Sequence, residues 1–99
     1  MVIVGGFFEV DPADRDEFVA GRVESMRTSR AEAGCLEYTV AADPLEPSRV
    51  LLFERWESQD ALDVHLAAGQ QSPPPATPSV APQSVSITVY DVAGQRTLV

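Results

Sequence analysis

The chain has no lysine, and only one cysteine (Cys35), one histidine (His65) and one tryptophan (Trp56) among its 99 residues. Each shortage excludes something. Seven arginines carry all the basic charge against fifteen acidic residues, for a formal net charge of −8. A surface of that sign repels nucleic acid and anionic membrane, both of which call for a basic stripe. A lone cysteine cannot build a disulfide framework and fits a reducing, cytoplasmic setting. One histidine, with no HExxH or CxxC spacing, falls short of what a zinc site needs, so no metal is expected. No apolar run approaches the ~18 residues of a membrane span. The opening MVIVGGFFEV is apolar but has no basic leader, and it alternates like a strand, so a signal peptide is not expected. Gly-rich phosphate loops and nucleotide fingerprints are also missing.

What is present reads as one domain spanning 1–99. Residues 2–10 are rich in β-branched and aromatic side chains and predict a strand. Gly5 and Gly6 within it suggest a bulge or a group lying close to the backbone. Asp11 suits a helix N-cap, Pro12 the first helical position, and Asp14 and Asp16 the positive end of the dipole. The helix should run to about Arg30 or Ala33, with Phe18, Val19, Val23 and Met26 inward and Arg15, Glu24 and Arg27 toward water. Gly34 is placed to stop it.

Residues 35–42 alternate as a second strand, and DPLEPS, 43–48, is a turn. RVLLFERWE, 49–57, is the strongest strand pattern. Leu51 and Phe53 share one face; Val50, Leu52, Glu54 and Trp56 share the other. Ser58 can cap a second helix with Asp60 in its first turn, and Ala61, Leu62, His65 and Leu66 form its stripe. Residues 67–84 hold five of the eight prolines and predict an extended, polyproline-like loop. A strand over 84–92 follows, and the tail RTLV offers one more short strand. The order βαββαβ predicts an α+β, ferredoxin-like fold: a four-stranded antiparallel sheet with two helices on one face. Strands 1, 3 and 4 are apolar on both parities, so the second face calls for cover. A symmetric homodimer packing sheet against sheet would supply it.

The segments AGCLEYTV and DPLEPSRVLLFERWESQDALDVHL resemble the antibiotic biosynthesis monooxygenase domain family, of the dimeric α+β barrel superfamily. Its members read Glu-Pro-Gly-Cys-x-x-Tyr, then a strand ending Glu-x-Trp, then Ala-Leu-x-x-His. The matching positions here are Glu32 to Cys35, Tyr38, Glu54, Trp56, Ala61, Leu62 and His65. The likeness covers residues 2–66 and, loosely, the last strand. It implies a homodimer of ferredoxin-like subunits, each with a small apolar cavity between sheet and helices. Active members oxygenate quinols or aromatic polyketides with neither metal nor flavin, so no cofactor and a small aromatic substrate are implied. Such chemistry is self-consistent, because a deprotonated electron-rich phenol can itself pass an electron to dioxygen. The protein then has to hold the substrate, handle a proton and exclude water.

The departures are equally specific. Actinorhodin-pathway members carry Asn four residues before the strand Trp and Tyr six after; here stand Leu52 and Leu62. Quinol-monooxygenase types often add a second His where this chain has Gln70. Haem-degrading members use a first-strand Asn, a second-helix Trp and a later His, none of which is matched.

His65 is thus the candidate catalytic base or donor, since imidazole alone titrates near neutrality by default. The competing reading is a helix-face histidine bonded to a carbonyl or to Glu54. Trp56 would shape the pocket or simply fill the core. Glu54, on the same strand face, needs a partner if buried: Arg22, Arg27, Arg49 or His65. Leu52, Leu62 and Tyr38 complete the expected pocket or its surroundings. Cys35 reads as a small hydrophobe rather than a nucleophile. The alternative to an oxygenase is a relative of the same fold that binds a small molecule or acts as an isomerase or cyclase.

Overall fold

The computed structural model describes residues 1–71 and 80–99. Strands β1 (Val2–Glu9), β2 (Cys35–Ala42), β3 (Arg49–Trp56) and β4 (Ser84–Asp91) form one antiparallel sheet in the order β2-β3-β1-β4. Helices α1 (Arg15–Ala20), α2 (Val23–Arg30) and α3 (Gln59–Gln71) complete the ferredoxin-like α+β fold.

The first helical layer differs from the single helix expected. It opens with a 3-10 turn, Pro12–Asp14, whose Asp11 Oδ1 accepts from the Ala13 N–H at 2.9 Å. It then breaks at Gly21-Arg22 between α1 and α2. Glycine weakens a helix interior, and here the break leaves the Arg22 guanidinium carbon 4.6 Å from the Phe18 ring centre and 5.4 Å from that of Phe8. Arg15, expected to face water, instead donates to the carbonyls of Asp43 and Glu46 at 2.8 and 2.9 Å, pinning the proline turn.

The parity read from β3 holds. Val50, Leu52, Glu54 and Trp56 are buried toward the helices, while Leu51 and Phe53 face outward and are exposed. The core gathers Val2, Val4, Val10, Phe18, Val40, Val50, Leu52, Trp56 and Leu62. α3 runs on through Ala67–Gln71, into the segment expected as a loop. Those residues lack proline, so every backbone N–H is available to the helix, and Gly69 does not break it. The remainder of the proline-rich stretch, 72–79, lies outside the described residues. Leu66, expected on the buried stripe, is half exposed. The tail 96–99 adds no strand: Leu98 and Val99 are almost fully exposed.

Both faces of the sheet retain apolar surface. On the outer face Ile3, Phe7, Leu51, Phe53 and Tyr90 border an open hollow of about 480 Å³ above Gly5 and Gly6. On the helix side, register pairs Val4 with Val89, Gly6 with Ile87 and Phe8 with Val85. α3 packs against β3, and Val85, Ile87 and Val89 stay about half exposed. Among the described residues no helix is long and apolar enough to cross a membrane.

Candidate functional site

Three short elements bring four polar side chains together. The turn after α2 carries Glu32; β3 carries Glu54 and Trp56; α3 carries His65. The turn is tied down at both ends, with the Glu32 N–H donating to the Ser29 carbonyl and the Cys35 N–H to that of Glu32. Gly34 then adopts φ +83°, and a Cβ there would lie 2.5 Å from the Ala61 Cβ. Only glycine permits both that backbone and that closeness. The Gly34 carbonyl accepts the Glu57 N–H at 2.8 Å, and Ser58 Oγ caps α3 by accepting the Ala61 N–H at 3.1 Å. These contacts bring the α2–β2 turn and the first turns of α3 together.

One helical turn after Ala61, His65 faces Glu32. Its Nδ1 lies 2.9 Å from Glu32 Oε2, and its Nε2 lies 4.0 Å from Glu54 Oε1. The imidazole packs on the Trp56 indole, with ring centres 4.7 Å apart, and on the Tyr38 ring at 5.5 Å. Trp56 Nε1–H donates to Glu54 Oε1 at 3.0 Å. The set runs inward: the side chain of Glu32 is 24 % exposed, His65 16 % and Glu54 7 %, and Trp56 is wholly buried.

Burial raises the pKa of Glu54, because the charged form loses hydration; the Trp56 hydrogen bond and His65 pull it back down, and Glu32 adds to the rise. Burial likewise raises the Tyr38 hydroxyl, with Glu54 adding to the rise and a Ser29 hydrogen bond opposing it. Cys35 is raised by burial and by the nearby carboxylates, which keeps it a protonated thiol and a poor nucleophile.

The arginines named as partners for Glu54 are elsewhere. Arg27 pairs with Glu24, Arg49 with Glu9, and Arg22 lies over the aromatic rings. Glu54 instead takes Trp56, two residues along its own strand face, with His65 beyond. Leu52 and Leu62 are core residues, 6 % and 2 % exposed. Trp56 backs the imidazole and has no free surface of its own. Glu32 is the site residue that residue-by-residue reading missed. It was visible as the first residue of the Glu-x-Gly-Cys match, but its reach across 33 positions to His65 was not. Among the described residues no group of three or more His, Cys, Asp or Glu side chains is placed to hold a metal ion.

From Glu54 a row of directly paired residues crosses the sheet on the helix side: Tyr38, Glu54, Val4, Val89. At ~4.8 Å per strand, the exposed apolar strip of β4 starts about 10 Å from the Glu54 carboxyl position.

The profile of a known family, antibiotic biosynthesis monooxygenase, matches residues 1–72. The uncharacterised Synechocystis protein sll1783 is 30 % identical over 102 residues, an overlap spanning 98 % of this chain and 67 % of that protein. The crystal structure of a Deinococcus radiodurans protein, proposed to be an antibiotic biosynthesis monooxygenase, superposes with a TM-score of 0.80 at 23 % identity, covering 100 % and 99 % of the two chains. Rv0793 from Mycobacterium tuberculosis superposes with a TM-score of 0.71 at 25 % identity, covering 97 % and 98 %.

Proposed function

Because the chain belongs to the antibiotic biosynthesis monooxygenase family, we propose that it oxygenates a quinol or phenolic polycyclic molecule without a cofactor. The supporting observation is the imidazole held between two carboxylates, 2.9 Å from Glu32 and 4.0 Å from Glu54, in a chain whose β4 keeps an exposed apolar strip on the same side of the sheet. In this reading the substrate lies on Val85, Ile87 and Val89, with its hydroxyl toward His65 Nε2. The imidazole takes the hydroxyl proton and the substrate keeps the electron pair as a phenolate. The phenolate passes one electron to dioxygen; the resulting radical pair joins to form a C–O bond. Collapse of the peroxide breaks its O–O bond and the C–H bond at the oxygenated carbon, leaving one oxygen in a new carbonyl; the other leaves as water, taking up the proton held by the imidazole and the carbon-bound one, which the imidazole or solvent receives and passes on. His65 is the catalytic group, Glu54 and Glu32 hold the charge it acquires, and Tyr38 and Trp56 fix its plane.

Oxygen uptake measured with a panel of quinols and anthrones is the test. His65→Ala is expected to lower the rate by about 100-fold or more, the contribution of a positioned acid–base group. No uptake with any substrate, or uptake indifferent to the substitution, would overturn the mechanism. One observation favours a second reading, a small-molecule binding protein without oxygenase chemistry. Leu52 and Leu62 occupy the positions where active relatives carry Asn and Tyr, and both are packed into the core. Quenching of Trp56 emission by these compounds without oxygen uptake would select that reading.

The outer face supports a homodimer within the same proposal. Phe53 and Leu51 are about 40 % exposed beside the hollow over Gly5 and Gly6, a knob and a slot on one self-complementary surface. Light scattering is expected to give twice the chain mass for the native protein and a single chain mass for Phe53→Glu. A native monomer at micromolar concentration would refute the pairing.

A further inference from the structure

We propose that Glu32 is the positioning residue of this site: it holds the His65 ring with Nδ1 protonated and so turns Nε2 into the base. The inference rests on the reading that His65 takes the substrate proton.

The geometry leaves little freedom. An ionised carboxylate is an acceptor only, so the 2.9 Å contact between Glu32 Oε2 and His65 Nδ1 requires a hydrogen on Nδ1. A neutral imidazole has one N–H, and its other nitrogen then carries the lone pair. Free imidazole side chains favour the opposite form, with the hydrogen on Nε2. Glu32 therefore inverts the default. Nε2 is left 4.0 Å from Glu54 Oε1, too far for a direct hydrogen bond, and that oxygen already accepts from Trp56. Among the described residues the lone pair is thus not spent on a hydrogen bond.

The surroundings explain why the ring does not turn over. Trp56 and Tyr38 pack against the imidazole. A flip of the ring would exchange Nδ1 and Cδ2, break the bond to Glu32 and set a carbon against a carboxylate. When Nε2 accepts a proton from a substrate hydroxyl, the substrate retains the bonding electrons as an oxyanion. The imidazolium so formed lies between Glu32 and Glu54 and gains from both. The placement of Glu32 itself depends on the tied turn described above, with Gly34 at φ +83° against Ala61. A turn tied by backbone hydrogen bonds at both ends presents the Glu32 side chain.

The chain is well suited to a direct test, because its one histidine gives unambiguous ring ¹⁵N signals. Titrated until the ring signals report the neutral form, the wild-type protein is expected to show a protonated Nδ1 and an unprotonated Nε2. Glu32→Ala is expected to move the hydrogen to Nε2, and Glu32→Gln, which keeps a carbonyl acceptor, to restore the Nδ1–H form. Where oxygen uptake is measurable, Glu32→Ala should lower kcat by about 100-fold with little change in KM, the low end for a positioned acid–base group. A wild-type ring carrying its hydrogen on Nε2, or a tautomer unchanged by Glu32→Ala, would overturn the proposal. The wild-type spectrum decides even if a variant fails to fold. The expected tautomers without any oxygen uptake would leave Glu32 as the positioning residue and defeat the oxygenase reading alone.

Discussion

Alanine at position 6 is expected to pull β4 away from the sheet. A Cβ on Gly6 would lie 1.9 Å from the Ser86 carbonyl oxygen and within 3 Å of the Ile87 Cα and the Ser86 carbonyl carbon. All three are backbone atoms of the neighbouring strand, so no side chain can swing aside. The Gly6 φ of +156° adds strain for any L side chain. Among the described residues β4 is an edge strand that pairs with β1 alone, so no further strand backs the ladder on that side. Overpacking against fixed atoms costs on the order of 3 kcal/mol or more, a large part of the stability of a domain this size. Urea denaturation should show the loss, and hydrogen exchange should show it concentrated in the β4 amides. Gly5→Ala is the control. Its Cβ would meet only the Tyr90 ring edge at 3.7 Å, an ordinary contact, so a change within about 1 kcal/mol is expected. Equal losses at the two positions would refute the backbone-contact account. The substitution also bears on function, because β4 carries the apolar strip on which the substrate is proposed to rest.

Removing the indole N–H of Trp56 is the second large effect. Trp56→Phe keeps most of the buried volume but strips Glu54 of its one close donor in a site it shares with His65. A buried carboxylate losing such a bond costs about 1–3 kcal/mol, and the smaller ring adds a cavity. A total of roughly 2–4 kcal/mol is expected, against about 3–5 kcal/mol for Trp56→Ala. The pH dependence has a definite sign. Burial lifts the folded-state pKa of Glu54 above its ordinary value of 4.5. The native state therefore binds this proton more tightly than the unfolded chain does. Its contribution to stability is fully present below the unfolded pKa and is lost as pH rises through the folded one. At neutral pH the buried carboxylate is a burden. Glu54→Gln retains an acceptor for the indole and removes the charge, so it should be more stable than the native protein at neutral pH. That advantage should vanish in acid, below about pH 4.5. Trp56→Phe removes a bond to the charged form, so its loss should be larger at neutral pH than in acid. A Glu54→Gln protein less stable than native at neutral pH would show that the attraction to His65 outweighs burial.

Much of the fold was legible because it depends on local period. Alternation along residues 49–56 assigned Val50, Leu52, Glu54 and Trp56 to one face, and all four are buried. Of the two readings of Gly5-Gly6, a bulge or a close approach to the backbone, the second holds: pairing stays in register through both, and the Ser86 carbonyl is the group that approaches. The break at Gly21 was less legible, since one glycine between good helix formers is often tolerated. α3 runs past the expected end at Leu66 because the prolines of 67–84 begin only at Pro73.

The site divides along the same line. Residue types and spacing determined that Glu54 and Trp56 share a face, that His65 is the single histidine, and which family the chain resembles. They could not determine what Glu54 would meet. Its oxygen accepts from a tryptophan on its own strand, while the three arginine alternatives are engaged elsewhere: Arg27 with Glu24, Arg49 with Glu9, and Arg22 over the Phe8 and Phe18 rings. Nor could they bring Glu32 to His65. That contact requires the α2–β2 turn and α3 to approach within the space of a missing Cβ at Gly34. Period along a strand or helix is written in consecutive side chains. The distance between two elements is set by how their surfaces close on each other, and here that closure places the second carboxylate on the imidazole.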